Sequence, residues 1–135
     1  MNRRTAREKT IQVLFQNDVS KIDVDEAKTF VLQNQQTNPF FERLVNGTMA
    51  RLDEIDRLIK NNLEKWSFDR IANVERAILR LAVYELKYED EIPKSVTINE
   101  AIELAKTFGS EESSRFINGV LSKIMEDIEN DSTNH

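Results

Sequence analysis

The chain has no cysteine among its 135 residues. Disulfides, thiolate metal sites and a thiol nucleophile are therefore excluded, and the absence fits a reducing cytoplasm. Histidine occurs once, as the terminal His135, so the body of the chain can assemble no His general base, catalytic triad or His-based metal site. Three isolated glycines and two prolines leave no glycine-rich phosphate loop, and they suit helices better than sheets with tight turns. No apolar run reaches the roughly 20 residues of a membrane span. The basic opening MNRRTAREKT lacks the apolar stretch of a secretory signal, so a cytoplasmic protein is expected. Carboxylates are plentiful, but nothing in their spacing raises the pKa of one selectively. Neither an enzyme nor a bound cofactor is expected.

What is present is charge and helical periodicity. The net charge is −5, which taken alone argues against a polyanion partner. Its distribution argues otherwise. Residues 1–10 carry Arg3, Arg4, Arg7 and Lys9 against Glu8, a net +3 that leaves −8 over the rest. A polyanion needs a local basic patch rather than a basic whole.

The stretch Ile71 to Tyr88, IANVERAILRLAVYELKY, is apolar on nearly every side of a helix drawn through it. A helix of that kind is surrounded by others. Around it, a first helix is expected from Arg3 to about Ser20, with Arg4, Arg7, Ile11 and Leu14 on one stripe and Phe15 in the apolar body. Asp23 caps a second helix. Asn38-Pro39 restarts the chain, with Glu42 in the first turn of a helix that keeps period to about Asn62. Gly47 inside that helix suggests a close helix–helix contact. Trp66 anchors a connector that leads to Asn73, the expected cap of the central helix. Glu89-Asp90-Glu91 reads as a solvated turn. Pro93 opens the next helix, INEAIEL included, whose Glu100 and Glu103 could face a partner. Phe108-Gly109-Ser110 forms a corner, with glycine in a left-handed position and serine as cap. The expectation is an all-α single compact domain of six to seven helices over residues 1–130, followed by a disordered polar tail over 131–135.

Four segments in order resemble the NusB family of transcription antitermination factors: RRTAREKTIQVLFQ, FFERLVNG, IANVERAILRLAVYEL and IPKSVTINEAIELAKTFGSEESSRFINGVL. The resemblance covers about residues 3–128. The resemblance implies two small helical bundles sharing a core around the central helix. It implies binding of boxA, a single-stranded RNA element of ribosomal RNA transcripts, jointly with NusE, a small-subunit ribosomal protein. It further implies a place among the Nus factors on RNA polymerase, where Rho-dependent termination is resisted.

By the same resemblance, the RNA surface falls on Arg3, Arg4, Arg7 and Lys9 of the first helix and on Phe108, Ser110, Ser113, Arg115 and Phe116 of the corner. Thr5 stands where some relatives carry another basic residue. Phe108 and Phe116 can stack on bases or pack in the core, and both readings stay open. Glu75, Arg76 and Tyr84 are the implied NusE-facing residues. Whether the free protein pairs with itself through that surface also stays open. A related helical domain precedes ribosomal RNA cytosine methyltransferases, but that chemistry needs a cysteine and a cofactor fold. The remaining alternative is a helical protein–protein adaptor that does not touch RNA.

Overall fold

The structure, a computed structural model, describes residues 1–64 and 67–133. Within them lie α1 (Arg3–Ser20), α2 (Val24–Leu32), α3 (Pro39–Ala50), α4 (Leu52–Asn61), a 3-10 turn (Phe68–Arg70), α5 (Asn73–Tyr88), α6 (Lys94–Phe108) and α7 (Glu111–Thr133). The fold is all-α, and Trp66 lies outside the described residues.

Short polar side chains start several of these helices by satisfying backbone N–H groups that have no partner within the helix. The Asn2 side chain accepts from the Thr5 N–H, Asp23 from that of Asp25, and Asn38 from that of Phe41, with Pro39 at the first helical position. Ser110 accepts from the Ser113 N–H at the start of α7.

Packing follows from the apolar faces. In α5, Ala77, Ile78, Leu79 and every residue from Leu81 to Leu86 are buried. The helix touches α1, α3, α4, α6 and α7. Helices α1, α2 and α3 gather on one side of it, and α4, α6 and α7 on the other, which makes two bundles with α5 in common. Side chains such as Phe41, Leu44, Ile78, Leu79, Ile117 and Leu121 are fully buried. Each contributes about 1.5–3 kcal/mol relative to an exposed position.

The structure corrects the sequence reading in several places. The helix expected from Asn38 to Asn62 breaks at Arg51, which has φ −122° and ψ 23°. Its guanidinium lies 4.1 Å over the Tyr88 ring and bonds the Gly47 carbonyl, and α4 beyond it packs on α5 and α7. Ala72, not Asn73, precedes α5, and Asn73 instead accepts from Arg76. Gly109 has φ −129° and is not left-handed. A methyl group there would meet the Ala105 carbonyl at 2.9 Å, so close approach is what calls for glycine. Residues 131–133 of the expected tail continue α7. Phe15, expected in the core, is exposed together with Val19 one turn on.

Candidate nucleic-acid interface

Helix α1 begins at the surface and turns inward within two turns. The Arg3 guanidinium lies 4.6 Å over the Phe40 ring of α3, and Arg43 and Arg7 approach the same ring at 5.4 Å. Each guanidinium is attracted to the ring's negative face, which is what gathers them there. Arg3 is exposed, and no carboxylate pairs with it among the described residues.

Arg4 is differently placed. Its Nε and Nη2 donate to the two carboxylate oxygens of Glu100 on α6, at 2.6 and 2.8 Å. Arg7 is sealed inside. Its Nε and Nη2 donate to Glu85 of α5 at 2.8–3.1 Å, with side chains only 4% and 2% exposed. The sequence-predicted role of Arg7 as a phosphate-facing cation is therefore not what its side chain does here. It joins α1 to the central helix. Lys9 leans on α2, with its ammonium 3.5 Å from the Val31 carbonyl.

The second predicted segment lies where α6 ends and α7 begins. Phe108 and Phe116 are half-buried and pack on the core, so one side of each ring is structural. Phe116 is also a wall between two open cavities. One, of about 340 Å³, is lined by Arg70, Ile71, Glu75, Ser110, Glu112 and Phe116. The other, of about 300 Å³, is lined by Asn62, Arg115, Phe116, Gly119 and Lys123 among others. Ser110 and Ser113 are joined to each other across the cap at 3.3 Å. Arg115 is exposed and has no hydrogen-bond or ion-pair partner among the described residues. Helix α6 links the two segments. Glu100, which holds Arg4, stands eight residues before Phe108, about 12 Å along the axis.

The expected partner residues do not share a face. Tyr84 stands nine residues after Glu75, two and a half turns round α5 and so on the opposite side. Tyr84 is 5% exposed and its hydroxyl donates to Glu89 at 2.8 Å. Burial, reinforced by Glu89, pushes the phenol up to about 12. Glu89, expected in a solvated turn, is drawn inward by Tyr84 and by both donors of Arg43. Arg76 is tied to Asp18, the Phe68 carbonyl and Asn73. Glu75 remains beside the larger cavity. Sequence reasoning missed Arg43, Arg70 and the ring of cations on Phe40, because all three depend on long-range packing.

Two carboxyls show how the surface pairs respond to acid. Hydrogen bonds from Arg4 hold Glu100 below the ordinary value of 4.5, and those from Lys87 and Tyr88 do the same for Glu54. Folded values lie below unfolded ones, so unfolding takes up protons. The stabilisation is present above 4.5 and is lost as pH falls through the lower folded values. The thermal midpoint is expected to fall as the pH drops from about 5 to about 3. A midpoint flat over that window, read by circular dichroism, would contradict these pairings.

Among the described residues no cluster of carboxylate or imidazole side chains could hold a metal ion, and no helix is long and apolar enough to cross a membrane. Against known families, residues 4–126 match the NusB family. The transcription antitermination protein NusB of Bacillus subtilis (strain 168) is 56% identical over 129 residues, covering 96% of this chain and 98% of that protein. NusB from T. maritima superposes with a TM-score of 0.86 at 39% identity, covering 93% of this chain and 92% of that one. A crystal structure of antitermination factors NusB and NusE in complex with dsRNA superposes with a TM-score of 0.84 at 30% identity, covering 93% of this chain and 96% of that one.

Proposed function

The chain belongs to the NusB family, and on that premise we propose that it is a transcription antitermination factor that binds boxA-type single-stranded RNA together with NusE. In this role it joins the Nus factors on RNA polymerase in the cytoplasm and helps the enzyme resist Rho-dependent termination. It acts by binding and not by catalysis. The observation that carries the reading is the match to the Bacillus subtilis protein along almost the full length of both chains.

The RNA-facing surface we propose has two parts. Arg3 and Arg4 at the start of α1 supply guanidinium groups, which hold phosphate oxygens in a planar fork and stay charged. Arg115 and the open side of Phe116 supply a free cation and a stacking face, the combination by which unpaired bases are usually held. Ser110, Ser113 and Phe108 keep that corner in shape. For NusE, Glu75 and the exposed pair Phe15 and Val19 form a better surface than Tyr84. Asp18, between those two apolar residues, is bonded to Arg76, the neighbour of Glu75.

The test is fluorescence anisotropy of a labelled boxA-like RNA against a scrambled strand and a duplex, with and without NusE, at two salt concentrations. Preferential binding strengthened by NusE is expected, with a log–log salt slope of about −0.7 per phosphate neutralised. The adaptor reading draws on one observation, that Arg4 and Arg7 already carry glutamates. RNA ignored while NusE still binds would establish the adaptor and end the RNA-binding proposal.

Glu112 is exposed at the rim of the larger cavity, beside Ser110 and Phe116. A carboxylate there repels the phosphates of any RNA lying across Phe116. Glu112→Asn is expected to tighten RNA binding roughly twofold to tenfold, as removal of one like charge near the path should. An unchanged or weaker dissociation constant would count against this path for the RNA.

A further inference from the structure

The INEAIEL segment places Glu100 on α6 with both carboxylate oxygens in the guanidinium fork of Arg4. That Nε–Nη2 edge is one a guanidinium presents to a phosphate, and two anions cannot occupy it together. We propose that Glu100 is a built-in competitor for RNA phosphate, occupying the fork of Arg4 in the free protein and yielding it when RNA docks. The inference rests on the RNA-binding reading above and adds a regulating residue to it.

The geometry says which partner moves. Glu100 is 22% exposed, and its Oε2 also stands 3.8 Å from Nη1 of the buried Arg7, whose other donors are fixed on Glu85. Arg4 is 46% exposed at the end of a long side chain near the start of α1. The carboxylate is therefore anchored, and the guanidinium is free to swing. An ion pair with one exposed member is held weakly enough to exchange. Glu8 and Glu103 add to the negative field around Arg4, so a stray anion gains little by entering. An RNA already engaged at Phe116 and Arg115 brings a phosphate at high effective concentration, and that phosphate displaces the carboxylate. The arrangement trades affinity for selectivity against other polyanions.

The experiment titrates boxA-like RNA in the presence of NusE against wild type, Glu100→Gln, Arg4→Ala, the double variant and Glu103→Gln, at several salt concentrations. Glu100→Gln is expected to tighten binding roughly threefold to tenfold with the salt slope unchanged, because Arg4 meets the same phosphate in both complexes, whereas Arg4→Ala should flatten the slope by about 0.7. The gain is expected to vanish in the Arg4→Ala background. Glu103→Gln makes the same change in net charge but leaves the fork filled, and should tighten binding less than Glu100→Gln. No tightening in Glu100→Gln, an equal gain in Glu103→Gln, or a gain that survives loss of Arg4 would each overturn the proposal.

A wild-type measurement avoids dependence on how the variants fold. In nitrogen–proton spectra of the arginine Nε–H groups, RNA should shift the Arg4 signal and leave that of Arg7 in place. An unmoved Arg4 signal with RNA bound would also refute the competitor. If wild type with NusE ignores RNA altogether, the RNA-binding reading itself falls.

Discussion

Arg7→Ala is expected to cost about 3–5 kcal/mol of folding stability, because it leaves the Glu85 carboxylate buried without its partner. That is a large share of the roughly 5–15 kcal/mol that holds a domain of this kind together. Glu85 makes the case severe. Burial pushes its carboxyl above the ordinary range, and the Arg7 hydrogen bonds are what favour its charged form. Without them the group must take up a proton or drag water inward. Urea denaturation followed by circular dichroism reads the loss directly. The double replacement Arg7→Met with Glu85→Leu should recover most of it, since well-packed apolar residues of similar size replace a buried pair at little cost. A single variant as stable as wild type would show that the pair is not the link between α1 and α5. The result also bears on RNA binding: any loss seen in Arg7→Ala has to be compared with its unfolding, whereas Arg3→Ala and Arg4→Ala remove surface groups.

Gly47→Ala is expected to destabilise by about 2 kcal/mol net, from overpacking of up to about 3 set against about 1 gained in helix propensity. A methyl group at this position would stand 2.2 Å from Cε1 of Tyr84 and 2.5 Å from its Cζ. The ring cannot simply step aside. It is buried, its hydroxyl is engaged by Glu89, and Arg51 lies 6.0 Å from its centroid. Gly119, in the middle of α7, is the contrast, because an added methyl there meets nothing within 4 Å. Gly119→Ala should stabilise the free protein by roughly 0.5–1 kcal/mol through the unfolded chain. The two alanine variants should thus move the thermal midpoint in opposite directions. Equal and small shifts would mean that α3 and α5 are not in close contact at Gly47.

How much of this was legible in the sequence depends on how far each feature reaches along the chain. The limits of α1, the Asp23 and Asn38 caps, Pro39 at a first helical position and the all-round burial of α5 are local patterns, and the structure bears them out. Gly47 was legible as a close contact, though not its partner. The break at Arg51 was not, because Leu44, Ile55 and Ile59 keep a single helical period straight through it. Arg51, at the break, stacks on Tyr88, 37 residues later in number. The Asn73 cap failed for a local reason: its side chain is taken by Arg76, three residues on. At the site, Arg7 carried a local signal that its charge had obscured. It lies on one stripe with Ile11 and Leu14, both buried, one turn further in than Arg4, which the same stripe leaves exposed. Tyr84 and Glu75 were separable by counting turns of α5. The acids that hold Arg4, Arg7 and Arg43 were not, since each lies 46 to 96 residues away.

The tie between Arg7 and Glu85 spans 78 residues of sequence, and this sets a clock for synthesis. Helix α1 leaves the ribosome with a buried face made for α5, but α5 has not yet been translated. At roughly 5–20 residues per second the interval is about 4–16 s. Through it Ala6, Ile11, Val13 and Leu14 can find only the other helices of the first bundle, α2 and then α3. The nascent chain is therefore exposed to misassociation until Leu86 has emerged. Substitutions that weaken packing between α1 and α3 are expected to lower soluble yield in the cell even where the finished protein is little destabilised.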